Sequence, residues 1–187
     1  MRLTDCTDHK SSRLPLVQPI KLIVVHHCSL KTLGFPDDEL TGEKLNRQFE
    51  TLRTLGTEGC RPYHAVIRRD GTVDQCISLR LRGAHALAYN SNTLAVTTAG
   101  EDGLNAEQRQ ALIELLADWL MLTEGVSVSG HTALGAEATR PGHPICPHPT
   151  TNVGELTKWA LVYHGPAVCS GTLEQRQDLM RGKGWML

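Results

Sequence analysis

Leu22-Ile23-Val24-Val25-His26-His27-Cys28-Ser29 is the stretch from which the fold can be read. Its first four residues are apolar and mostly β-branched, and the run is too short for a helix. It also lacks the alternation of a half-exposed strand. Such a run fits a strand covered on both faces of a sheet. It ends in two histidines, and in open α/β sheets ligands gather beyond the carboxyl ends of strands. His27 is therefore a first candidate, an imidazole held by a rigid strand at the edge of a cleft. The alternative for His27 is a hydrogen-bonded core histidine.

The surrounding sequence supplies the other elements. Residues 1–20 are polar, contain Pro15 and Pro19, and predict an arm or edge segment. After a loop with Gly34 and Pro36, the pattern predicts a helix over 39–55, ended by Gly56. Segments 63–69 and 73–77 flank Asp70-Gly71, a dipeptide suited to the positive φ angles of a tight hairpin. Residues 94–99 read as another interior strand. Asn105 and Gln108 have capping-box spacing, and Leu112, Leu115, Leu116, Trp119 and Leu120 form one helical stripe. Gly125 stops that helix, and 126–129 alternate as a short strand leading into Gly130-His131. Residues 132–152 hold Pro141, Pro144, Pro147 and Pro149 and predict an extended loop, a feature that usually serves function. Helices are expected over 153–162 and 174–181.

Strands and helices alternate, and one hairpin makes at least one pairing antiparallel. The expected fold is a single α/β domain, a mixed central β-sheet flanked by helices on both faces. The domain is expected to span 21–164, with 1–20 as an N-terminal arm and 165–187 as a C-terminal extension packed on it.

Composition narrows the classes. The chain has 187 residues, 40% hydrophobic and 21% charged, with a formal net charge of −1. That balance excludes gross disorder and gives no basic surface for binding nucleic acid by bulk charge. No run approaches the roughly 18 apolar residues of a membrane span. Asp5, Asp8, Lys10 and Arg13 interrupt the first twenty residues, so no signal peptide is expected. A monomer made in the cytoplasm, without membrane insertion, is the expectation. Cys6, Cys28, Cys60, Cys76, Cys146 and Cys169 form no C-x-x-C pair and are expected to be mostly thiols.

His131 strengthens the case for His27. It also follows a short predicted strand, and Cys146 comes 15 residues later in the proline-rich loop. Two imidazoles and a thiolate are a sound zinc set, and a catalytic zinc keeps three protein ligands and one open position. The three are scattered over the chain and match no local zinc signature.

The ordered combination of motifs resembles the type 2 N-acetylmuramoyl-L-alanine amidases, the family of amidase-type phage lysozymes and peptidoglycan recognition proteins. The similarity runs through Ile23-Val24-Val25-His26-His27-Cys28-Ser29, Tyr63-His64-Ala65-Val66-Ile67-Arg68-Arg69-Asp70-Gly71-Thr72-Val73, Gly83-Ala84-His85-Ala86, and the 89–96 segment. It ends at Gly130-His131 and Cys146-Pro147 and covers about residues 20–160. The resemblance implies Zn2+ bound by His27, His131 and Cys146, with the second histidine of the pair as ligand. It implies Tyr63 beside the reacting water, and His85, Asn90 and Asn92 in a region lining a glycan–peptide groove. Pro144 stands where many members carry lysine or threonine, so Arg140, Thr139 or His143 becomes the candidate for the missing catalytic group, Arg140 as a cation for the oxyanion and His143 as an acid or base. His64 should face away from Tyr63 and be structural. The implied activity is zinc-dependent cleavage of the amide between N-acetylmuramic acid and L-alanine in peptidoglycan, in the manner of a phage endolysin acting on the wall after release. The alternative is a non-catalytic peptidoglycan-binding or regulatory module of the same fold.

Overall fold

The computed structural model describes residues 1–7, 15–17, 19–28, 39–54, 61–86, 88–122, 125–138, 145–164 and 172–187. Six strands form one sheet: β1 (Arg2–Asp5), β2 (Leu22–Cys28), β3 (Ala65–Ile67), β4 (Thr72–Gln75), β5 (Thr93–Ala99) and β6 (Ser127–Gly130). Four helices accompany them: α1 (Gly42–Thr54), α2 (Ala106–Met121), α3 (Val153–His164) and α4 (Leu173–Gly182). The spatial order is β1-β4-β3-β5-β2-β6. Among these six strands the β3–β4 hairpin is antiparallel and the other pairings are parallel. This is the mixed α/β sheet that the sequence predicts.

β2 and β5 are central because both can be buried on two faces. Ile23, Val24 and Val25 are fully buried, as are Leu94, Ala95 and Val96 opposite them. One face of the sheet, with Ile23, Val25, Ile67 and Val96, packs with Leu112, Leu115, Leu116 and Trp119 of α2 and Leu156 and Ala160 of α3. The other face gathers Cys28, Val66, Cys76, Ile77 and Ala99 with Leu40 and Leu45 at the start of α1. Helices therefore cover both faces. The capping box of α2 forms as expected, Asn105 Oδ1 accepting the Gln108 N–H and the Gln108 side chain returning to the Asn105 N–H.

α1 begins where Gly42 N–H donates to Asp74 Oδ2 at 2.6 Å. Arg68 holds the same carboxylate through two bonds of 2.7 Å. A Cβ on Gly42 would lie 2.7 Å from Asp74 Cβ, so only glycine admits this approach. The carboxylate is fully buried and sits at a helix N-terminus, where negative charge is favoured.

Residues 2–5, expected in an arm or edge segment, form an edge strand paired with β4. At the other end, Trp185 is buried against Trp119, and its indole N–H donates to Asp118 at 3.0 Å. Met186 exchanges two bonds with the Gln75 side chain, which ties this segment to the sheet.

Candidate metal centre and active site

Strand alternation decides which histidine enters the site. Neighbouring residues on a strand point to opposite faces. Val24, His26 and Cys28 therefore share the face covered by α1, while Ile23, Val25 and His27 share the α2–α3 face. The structure groups His26, His131 and Cys146, with one ligand atom from each, all within 4.8 Å of one another. His27, the expected ligand, is not in this group. Its ring packs edge-on against His148, with centroids 5.9 Å apart. It serves the cluster through its backbone, whose N–H donates to Cys146 Sγ at 3.4 Å.

His131 opens a short 3-10 turn directly after β6. Its Nε2 lies 2.9 Å from the Ala138 carbonyl. A carbonyl only accepts, so Nε2 carries the proton and Nδ1 carries the lone pair. Cys146 is brought back beside it by a two-bond clamp. Thr132 N–H donates to the Cys146 carbonyl, and Cys146 N–H donates to Thr132 Oγ1, each at 2.7 Å. Gly130 makes room, since a Cβ there would stand 2.6 Å from Pro147 Cδ. Neither Thr132 nor the purpose of Gly130 was legible from residue type alone.

His26 is 2% exposed, and its Nδ1 lies 3.5 Å from Cys146 Sγ. Its Nε2 lies 3.1 Å from His85 Nδ1. Burial pushes the Cys146 thiol up to about 11, against a pull downward from the His27 N–H. Burial, with Cys146 nearby, pushes Cys28 up to about 12. Such thiols stay protonated near neutrality unless a cation takes the sulfur. Two imidazole nitrogens and a sulfur, buried and convergent, fit zinc, which accepts this donor set in three-ligand catalytic sites.

Tyr63 packs its ring 5.0 Å from His26, centroid to centroid. Burial first, then Cys28 and Cys146, hold its phenol well above the ordinary value. It is thus an O–H donor at neutral pH. His64 turns away, as expected, towards Trp119. Its Nδ1 accepts the Ala95 N–H at 3.0 Å, and its Nε2–H donates to the Leu81 carbonyl at 2.9 Å. The imidazole thereby takes the place of a backbone acceptor between β3 and β5.

The expected groove residues have internal partners. His85 is buried and bonded at both ring nitrogens, to His26 and to Thr93. Burial holds its pKa well below the ordinary value, so it is neutral. Asn90 Oδ1 accepts the N–H groups of His85 and Ala86, both at 2.9 Å, and so fixes the turn that carries His85. Asn92 is half-buried, and its carbonyl accepts the Lys21 N–H. Thr139, Arg140 and His143 lie outside the described residues.

A family profile for N-acetylmuramoyl-L-alanine amidase matches residues 16–149, and the chain belongs to that family. A peptidoglycan-recognition protein of Drosophila melanogaster is 26% identical over 162 residues, covering 80% of this chain and 80% of that protein. The endolysin of Escherichia phage T7 is 31% identical over 84 residues, 41% of this chain and 56% of its own length. Among solved structures, the amidase LysC from Clostridium intestinale URNW shares the fold, with a TM-score of 0.60 and 22% identity. That match covers 83% of this chain and 95% of LysC.

Proposed function

We propose that this protein is a zinc-dependent N-acetylmuramoyl-L-alanine amidase of the endolysin kind, with peptidoglycan as substrate. The convergence of His26, His131 and Cys146 beside a neutral Tyr63 carries the reading. A zinc ion held by His26 Nδ1, His131 Nδ1 and Cys146 Sγ would supply Lewis acidity towards the scissile carbonyl and activate the attacking water.

The remaining work falls to the chain. Water adds to the lactyl carbonyl carbon, the C–N bond breaks, and the amine of L-alanine leaves with a proton. Tyr63 donates its O–H to the oxygen on which negative charge develops, and its raised pKa keeps that proton available. The His27 N–H holds Cys146 Sγ in place from the strand side. Thr132 and Gly130 hold the backbone of Cys146 against the turn that carries His131. His143 is the candidate for protonating the departing amine, and Arg140 the candidate for a permanent cation beside the oxyanion.

Purified sacculi test the reading. Wild type should release new L-alanine amino termini and free muramic carboxyl groups. A chelator-treated sample and Cys146→Ser should release neither. Release that persists after complete metal removal would refute metal-assisted hydrolysis. Tight binding to sacculi without release by the metal-loaded wild type would instead assign the chain to recognition.

A further inference from the structure

His26 is a ligand only if the correct nitrogen is unprotonated. A neutral imidazole has one N–H and one lone pair, and the partner of one nitrogen dictates the state of the other. For His131 the backbone settles this directly, through the Ala138 carbonyl. His26 has a different arrangement. Its Nε2 faces another imidazole, His85, which by itself could either donate or accept.

The order is fixed further out. Thr93 Oγ1 lies 2.8 Å from the Tyr89 carbonyl. That oxygen only accepts, so the Thr93 hydroxyl proton points at it. Thr93 Oγ1 must then accept from His85 Nε2, 2.9 Å away. His85 Nε2 therefore carries the proton, and His85 Nδ1 holds the lone pair. His85 Nδ1 in turn accepts from His26 Nε2 at 3.1 Å. The last link leaves the His26 lone pair on Nδ1, the nitrogen 3.5 Å from Cys146 Sγ.

We propose that Thr93 and His85 are positioning residues that select the metal-binding tautomer of His26, by a proton order set at the Tyr89 carbonyl. The proposal rests on the zinc site described above. It gives His85 a role different from lining the substrate groove. It also gives a reason for Asn90, whose side chain pins the two N–H groups of the turn that holds His85. Thr93 is fully buried on β5 and paired with Leu22 at the base of the strand that carries His26. One rigid pair of strands thus holds both ends of the relay.

Thr93→Val keeps the branched shape and deletes the oxygen. His85 can then reverse, and His26 can place its proton on Nδ1. The expected result is a zinc affinity about 10-fold lower, the scale on which outer partners of metal ligands act. Thr93→Ser should stay within about 3-fold of wild type. Thr93→Ala provides a second deletion should the valine pack poorly.

The tautomer is read independently of metal, by long-range proton–nitrogen correlation spectra of the metal-free protein. Wild type and Thr93→Ser should show His26 protonated at Nε2, and the deletions should show a mixture. Unchanged affinity and an unchanged His26 tautomer in a folded deletion variant overturn the proposal. A wild type that shows the Nε2–H form and takes up no zinc would support the relay and defeat the metal reading, so the two fail separately.

Discussion

Lowering the pH should unfold this protein in part through one histidine remote from the His26–His131–Cys146 cluster. His64 is fully buried, and both ring nitrogens are committed in opposite senses, Nδ1 accepting from Ala95 and Nε2–H donating to Leu81. A second proton would set an N–H against the Ala95 N–H and place a charge beside Trp119. Burial accordingly lowers its pKa from 6.5 to about 4, opposed in part by the Leu81 carbonyl. Between those values the unfolded chain binds the proton and the native state does not. Stability from this group is therefore complete above pH 6.5 and is lost as pH falls towards 4. At about 1.4 kcal/mol per pH unit, the whole window costs on the order of 3 kcal/mol. Native domains typically hold roughly 5–15 kcal/mol in total, so this one group accounts for a large part. Urea unfolding followed by tryptophan fluorescence at several pH values measures it, on wild type and on His64→Gln. The other histidines are common to both proteins and cancel in the difference. Wild type should lose stability more steeply than the variant, by about 1.4 kcal/mol per unit in the middle of the window. Parallel profiles would show that His64 does not hold this linkage.

Other perturbations probe the site and its frame. His26→Ala should abolish zinc uptake, whereas His27→Ala should retain it, as read by metal content after dialysis; the reverse result would restore His27 as ligand. Tyr63→Phe should slow release from sacculi by about 10²-fold, the scale of one oxyanion donor, with metal content unchanged. Arg68→Ala removes the only cation bonded to the buried Asp74 carboxylate among the described residues, leaving it the Gly42 N–H and the Cys6 thiol, and should cost roughly 3 kcal/mol in denaturant unfolding. The figure is at the low end for broken buried pairs because the guanidinium is partly exposed. Gly130→Ala brings a Cβ to 2.6 Å from Pro147 Cδ and should lower zinc affinity by displacing Cys146, measured by competition with a chromophoric chelator.

Much of this architecture was legible because it is locally encoded. Asp70-Gly71 carries its own turn geometry, with Gly71 at φ 78°, and Asn105 with Gln108 carries its own cap. β1 was not legible as a strand, because nothing in Arg2–Asp5 announces a partner some seventy residues away at Thr72–Gln75. His27 was chosen over His26 by resemblance, as the second histidine of the pair, and the structure groups His26 with His131 and Cys146 instead. β2 is covered on both faces, so its apolar run has no alternation to say which side faces the site. The face is set by where Tyr63, His131 and Cys146 arrive, which is a tertiary fact. His85 and Asn90 were found by resemblance and placed in a groove-lining region, while their bonds turn inward, His85 to His26 and Thr93 and Asn90 to the backbone N–H groups of His85 and Ala86. Thr93 looked like an ordinary β-branched strand residue, and its hydroxyl mattered only once Tyr89 and His85 flanked it.

The way Cys146 is fastened separates the positions of two side chains from the stretch between them. Ala138 is tied to His131, and Cys146 is tied to Thr132, so both borders of the intervening stretch are riveted to the same turn. Changes in the length or chemistry of 139–144 should thus leave His131 and Cys146 in place. A substitution at Pro144 is therefore expected to leave His131 and Cys146 where they are.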